Sequence, residues 1–241
     1  MWFTVQEWES LGEHDIVSAP PLNLGFGILR AAEAIVDVVA VTACGRTGPA
    51  RVSARVAILG AMAVQLAYVR TDRVEGVRLV IFPLGALAEE LADLVPVSST
   101  APAHPARHYA SYPCELFLAG LAAALSGPGV LAEVCVELAR ATCIPASDAA
   151  RQLTHLAQDC DGRLEALVTL GRTLAPVSSP ERLRPAPIHS APLSWTQTTS
   201  GWFALTPASS AGFLRIDVRP VAAADLAAQL MPALGRCLAA R

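Results

Sequence analysis

The most suggestive spacing for chemistry is His104-Pro-Ala-Arg-His108. Two histidines four apart on a helix can hold a metal ion. This pair sits in a proline-rich stretch where no helix would align it, so solvated loop histidines are expected. His155 and Asp159 repeat the spacing with a base and a carboxylate, a scattered acid–base candidate. Asp159-Cys160-Asp161 reads as a helix end rather than an acid/base pair. Gly25-Phe26-Gly27 supplies two of the three glycines of a dinucleotide fingerprint, but Arg30 occupies the third position. No clear strand precedes it and no βαβ unit follows. The chain contains neither H-E-x-x-H nor G-x-S-x-G. All 18 basic residues are Arg, which excludes a Schiff-base lysine and the phosphate-binding lysine of a P-loop. The expectation is a protein without catalytic residues, metal or cofactor. A small-ligand-binding protein or enzyme of α+β class with an unidentified substrate is the alternative.

Two features are less bland. The stretch SWTQTTSGWFALT places two of the four tryptophans, Trp195 and Trp202, within eight residues, with Phe203 beside them and Gln197 between. Such residues are commonly sheet core; the functional reading is an aromatic patch that receives a partner. The last strand-like run carries Arg215, Asp217 and Arg219 on one side, a solvated face or a polar rim.

Composition narrows the class. A chain of 241 residues, 53% hydrophobic and 16% charged, can bury a substantial core. The net charge of −3 and the dispersed arginines argue against a nucleic-acid partner. The best uncharged apolar run, Val56 to Val69, lies between Arg55 and Arg70 and is too short to span a bilayer, and the run from Leu116 to Ala132 is interrupted by Ser126-Gly127-Pro128-Gly129. The acidic start MWFTVQEWESLGEHD does not read as a signal peptide, so a cytoplasmic protein is expected. The six cysteines form no C-x-x-C pair and read as small buried hydrophobes.

The elements that position these residues follow from a repeated phrase. VRLVIFPLGALAEEL (77–91) and LRIDVRPVAAADLAAQL (214–230) share an Arg, alternating apolar positions, a Pro and an Ala/Leu-rich tract. Each predicts a strand running into a helix, opened by Pro83 or Pro220. Ile35–Thr42, Val52–Gly60 and Val64–Arg70 read as strands before the first copy. The first helix has an apolar face of Leu84, Leu87, Ala88, Leu91 and Leu94. Before the second copy lie 163–170, strand or helix, and a hairpin of Leu193–Thr198 with Trp202–Thr206. Helices are expected over 114–125, 130–142 and 147–160, with Ser147 as an N-cap. Proline-rich 97–113 reads as a linker, and 176–192 as a long loop. The duplication predicts an α+β fold: one antiparallel sheet with pseudo-two-fold halves, about 1–96 and 114–241, flanked by helices.

Several of these segments together resemble the EspG family, cytosolic chaperones of mycobacterial type VII (ESX) secretion. FTVQEWESL (3–11) is similar to the family's first helix start, followed by a Pro-Leu pair, here Pro21-Leu22. VRLVIFPLGALAEELADLVP (77–96) resembles its strand–helix segment, SWTQTTSG (194–201) its hairpin, and FLRIDVRPVAAADLAAQL (213–230) its closing strand and helix. Gln197 stands where the family usually has Asp, Trp202 where Arg is usual, and the segment from Pro21 to Ile35 is shorter than in typical members. The resemblance implies a non-enzymatic chaperone that binds the helical tip of the PPE protein in a PE–PPE heterodimer. It would hide an apolar surface and keep its substrate soluble before secretion. Trp195, Gln197, Trp202, Phe203, Arg215 and Asp217 are the partner-binding residues expected on this reading. A homodimer is the remaining possibility.

Overall fold

The protein is described by a computed structural model covering residues 1–45, 48–96, 109–171, 191–210 and 212–239. The sequence expectations for His104, His108, most of the 97–113 linker and the loop up to residue 190 fall outside the described residues. The first half runs β1 (Trp2–Phe3), α1 (Val5–Ser10), α2 (Glu13–Ser18), α3 (Pro20–Ala31), β2 (Ala34–Gly45), β3 (Gly48–Leu59), β4 (Met62–Thr71), β5 (Glu75–Pro83) and α4 (Leu87–Ala92). The second runs β6 (Ala110–Pro113), α5 (Cys114–Ser126), α6 (Pro128–Ala141), α7 (Ala146–Gln158), β7 (Cys160–Leu170), β8 (Ala191–Thr198), β9 (Gly201–Ser210), β10 (Phe213–Val221) and α8 (Asp225–Ala239). The halves therefore share one order: edge strand, three helices, a meander of long strands, a closing helix.

All ten strands join one sheet in the order β1-β5-β4-β3-β2-β7-β8-β9-β10-β6, and every neighbouring pair is antiparallel. The order reads the same outward from the β2–β7 seam in both directions, which is the pseudo-two-fold of an α+β fold. The two copies of the repeated phrase occupy equivalent places, β5 with α4 and β10 with α8.

Alternation decides which face is covered. Ala34, Val36, Val38 and Ala40 of β2 and Leu164, Ala166 and Val168 of β7 point to one face, where α4 and α8 pack against the sheet and each other. On the opposite face the helices divide. Leu22 and Ile28 of α3 cover Ala57, Val64 and Leu79 on β3 to β5. Helices α5 to α7 cover Tyr112, Phe203 and Val218 on β6, β9 and β10.

Several sequence expectations are corrected. Pro83 ends β5 at the N-cap of a 3-10 turn, Leu84–Ala86, that leads into α4, whereas Pro220 lies within β10 and α8 starts only at Asp225, whose carboxylate accepts from the Ala222 amide at 2.8 Å. Ala110–Pro113, read as linker, is the edge strand paired with β10. Residues 163–170 belong to a strand. Ser147 lies inside α7, which Pro145 precedes at the N-cap without a side-chain hydrogen bond. Ala88 is exposed, while Leu87, Leu91 and Leu94 are buried as expected. The Gly25-Phe26-Gly27 fragment lies within α3, where a Cβ on Gly25 would meet Leu79 at 3.2 Å. Its glycine serves a close helix–sheet approach, not a phosphate.

The seam itself is tight. The Gly171 amide donates to the Glu33 carbonyl at 2.9 Å, and a Cβ at 171 would lie 1.8 Å from the Ala32 carbonyl oxygen. Rigid backbone cannot yield as a side chain would. Gly171→Ala is expected to cost about 1–3 kcal/mol or more, read as a lower denaturant midpoint at unchanged m-value.

Tyr112 is fully buried and its hydroxyl donates to Gln152 Oε1 at 2.5 Å. Burial pushes its phenol from the ordinary 10.0 up to about 12. The unfolded chain then releases this proton before the folded one, so the stabilisation is complete below pH 10.0 and is lost as pH rises toward about 12. Tyr112→Phe, though about 1 kcal/mol less stable near neutrality, is expected to lose less stability than wild type across that alkaline window in pH-dependent denaturant melts.

Candidate partner-docking surface

The six residues singled out from the sequence do not form one exposed patch. Trp202 and Phe203 are consecutive on a strand, so they must point to opposite faces. Trp202 packs in the core beneath α4 and α8, while Phe203 packs beneath α5 to α7. Trp195 is 0% exposed, Trp202 7%, Phe203 5% and Gln197 1%. The Trp195 indole N–H donates to Gln229 Oε1 and that of Trp202 to the Pro96 carbonyl, each at 3.2 Å. The two indoles lie 6.4 Å apart in a tilted arrangement. These rings knit the strands to α8 and to the chain after α4.

Arg215 and Asp217 are partly accessible. Arg215 is occupied: its Nε donates to Ser111 Oγ at 2.9 Å and its Nη2 to the Ser111 carbonyl at 2.6 Å. Asp217 accepts from the Tyr109 hydroxyl, and this hydrogen bond raises the Tyr109 phenol above its ordinary value. The His155–Asp159 pair forms at 2.5 Å, and among the described residues no contact ties a third catalytic group to it. Among the described residues no group of three or more His, Cys, Asp and Glu could hold a metal ion.

The surface that sequence reading missed lies on the central strands. Because α3 covers β3 to β5 and α5 to α7 sit on the other side, the second face of β2 and β7 stays open between them. Val39 and Val41 on β2 are 39% and 44% exposed there. Register places Val39 between Ser53 and Glu165, and Val41 between Arg51 and Arg163. Asp37, on the next row, holds Arg55 through Oδ1–Nε at 2.7 Å and Oδ2–Nη2 at 3.2 Å. That pairing raises the Arg55 guanidinium above its ordinary value. Arg163 pairs with Glu165. Arg51 faces Arg70 directly across β3 and β4, and neither makes an ion pair among the described residues.

The result is a saddle: exposed valines along a central strand, bordered by ion pairs and arginines, walled by helices. At the Val41 end, beyond the reach of α3, the exposed row runs from Arg70 on β4 through Arg51 and Val41 to Arg163 on β7, three strand spacings or about 14 Å at about 4.8 Å each. That admits one helix of about 10–12 Å diameter, or the tip of a helical hairpin. Alternation on β2 hid it. IVDVVAVT is apolar on both faces, which in sequence reads as a strand buried on both.

Core and surface separate under mutation. Trp202→Ala is expected to cost about 3–5 kcal/mol in denaturant melts. Val41→Thr should change stability by less than about 0.5 kcal/mol.

No protein-family model matches the chain, and no curated protein matches it. Among solved structures it is similar to that of the Mycobacterium tuberculosis type VII secretion system chaperone EspG5 in complex with the PE25–PPE41 dimer. The TM-score is 0.50 at 13% identity, over 96% of this chain and 80% of that one. At that identity the likeness is one of fold, and the fold of this chain is similar to that of an EspG chaperone.

Proposed function

We propose that this protein is a non-enzymatic, cytoplasmic secretion chaperone of the EspG kind, which binds a PE–PPE-type heterodimer and shields the helical tip of its PPE subunit. The open saddle carries this reading: two exposed valines on a central strand, in a trough as wide as a helical tip, framed by polar groups that fix orientation. Two further observations support it. The fold is similar, over nearly the whole chain, to a chaperone solved in complex with a PE–PPE dimer. Sequence motifs at 3–11, 77–96, 194–201 and 213–230 resemble the same family. Among the described residues no helix is long and apolar enough to cross a membrane.

The mechanism is burial. An apolar helix tip of the partner covers Val39 and Val41, and the surrounding charges pair with its polar rim. The contact residues are then Val39, Val41 and their cross-strand neighbours, with the buried Trp195 and Trp202 holding the sheet beneath them.

Co-expression with PE–PPE pairs from the same genome tests the reading. A pair that is insoluble alone is expected to co-purify with this chain in stoichiometric amount. Val39→Asp should weaken that complex at least about tenfold while leaving the monomer folded, because a charge placed between Ser53 and Glu165 has no cation opposite it and would be buried unpaired against the apolar tip. Light scattering distinguishes a monomer awaiting its partner from a stable homodimer. If no pair co-purifies or gains solubility, the chaperone reading fails.

A further inference from the structure

The two halves of the sheet differ at one place. In the first half, β3 and β4 pair without interruption from Ala50↔Thr71 to Leu59↔Met62. In the second, the equivalent hairpin pairs only from Thr198↔Gly201 to Trp195↔Ala204. Beyond Trp195 and Ala204 the strands diverge, and each arm carries a proline, Pro192 or Pro207, which has no N–H for the ladder. A cavity of about 400 Å³ opens in this fork. Leu193 and Leu205 line its arms, Asp217 and Arg219 come from β10, and Gln229 and Leu230 from α8.

Part of its polar capacity is unspent: Asp217 accepts from the Tyr109 hydroxyl, yet its Oδ1 has no protein partner among the described residues. Four buried side-chain polar atoms lack a protein partner among the described residues, and two of them, Asp217 Oδ1 and Gln229 Nε2, belong to this cavity's lining. The Trp195 indole takes Gln229 Oε1, so the amide must direct its donor elsewhere. Arg215, the neighbouring cation on the same strand face, is held by Ser111. Arg219 makes no ion pair with Asp217 within 4.0 Å. The lining thus combines a carboxylate without a cation, an amide donor, an exposed guanidinium and leucine side chains. Cavities of this size with a few convergent polar groups are the usual form of a ligand site.

We propose that the fork between β8 and β9 is a binding site for a basic amino acid, free or as a residue of a peptide. The ligand's cationic nitrogen donates to Asp217. A carbonyl or carboxylate oxygen accepts from Gln229 Nε2 and Arg219. Its aliphatic stem lies against Leu193 and Leu230, which share the face that α8 covers. This site is separate from the saddle, and the proposal stands whether or not the protein is a chaperone.

Isothermal titration of the full chain with L-arginine, its neutral isostere L-citrulline and the blocked peptide Ac-Gly-Arg-Gly-amide tests it. At least one arginine probe is expected to bind at least about tenfold tighter than citrulline, since only arginine makes a charge-assisted bond to Asp217. Binding of free arginine alone identifies a small molecule as the ligand; binding of the blocked peptide identifies a polypeptide side chain. Asp217→Asn should abolish the preference over citrulline. Thr206→Trp, an exposed position on the rim, should block all the probes by filling the fork without altering the carboxylate. Citrulline binding as tightly as both arginine probes, no binding of either arginine probe, or both variants behaving as wild type overturns the proposal.

Discussion

The antiparallel seam between β2 and β7 is the constraint on which the rest depends. It runs unbroken from Ala34↔Leu170 to Thr42↔Gly162. On one face its side chains are nearly all fully buried, which fuses the two halves' cores into one beneath α4 and α8. Burial of that continuous apolar surface dominates the favourable free energy of joining the halves. The same geometry fixes what remains outside. The three-helix groups each precede their own meander and pack mainly on its outer strands; α3 reaches the seam only at the Ile35 end of β2, which leaves the second face open at Val39 and Val41. The open saddle is the necessary remainder of a doubled unit whose closing helices share one side.

The copies then diverge by local chemistry. In the first half, Arg78 of β5 is anchored to Glu90 at 3.1 Å, on the helix that follows it. In the second, Arg215 of β10 turns outward to Ser111 on the edge strand. Asp217 replaces Val80 at the next equivalent position, and Gln229 of α8 takes up the Trp195 indole. Pairing of β8 with β9 stops at Trp195↔Ala204, and further out Pro192 and Pro207 each lack an N–H for the ladder, whereas β3 and β4 pair as far as Ala50↔Thr71. A symmetric framework thereby carries an asymmetric set of polar groups, gathered in the half where the ladder opens.

Much of this architecture was legible from residue order. Period-two alternation in 214–219 located β10, and the Arg-x-x-x-x-Pro phrase found twice revealed the doubling, because strand and closing helix are encoded by short-range patterns. The edge strand at Ala110–Pro113 was not legible: four residues carry too little period to stand out from a proline-rich stretch. Helix α3 was also hidden, since two glycines and paired prolines lower local helix propensity, while packing of Leu22 and Ile28 against the sheet restores it.

The sequence by itself determined the class, the doubling, the long strands of the two meanders and the absence of recognisable catalytic motifs, all of which depend on neighbours a few residues apart. Only the tertiary structure decided which apolar residues face water. Trp195, Trp202 and Phe203 were expected at a docking patch and are buried; Val39 and Val41, in a run read only as a strand, are open. The physical reason is that strand alternation assigns a face but not its cover. That cover depends on where helices far along the chain come to rest.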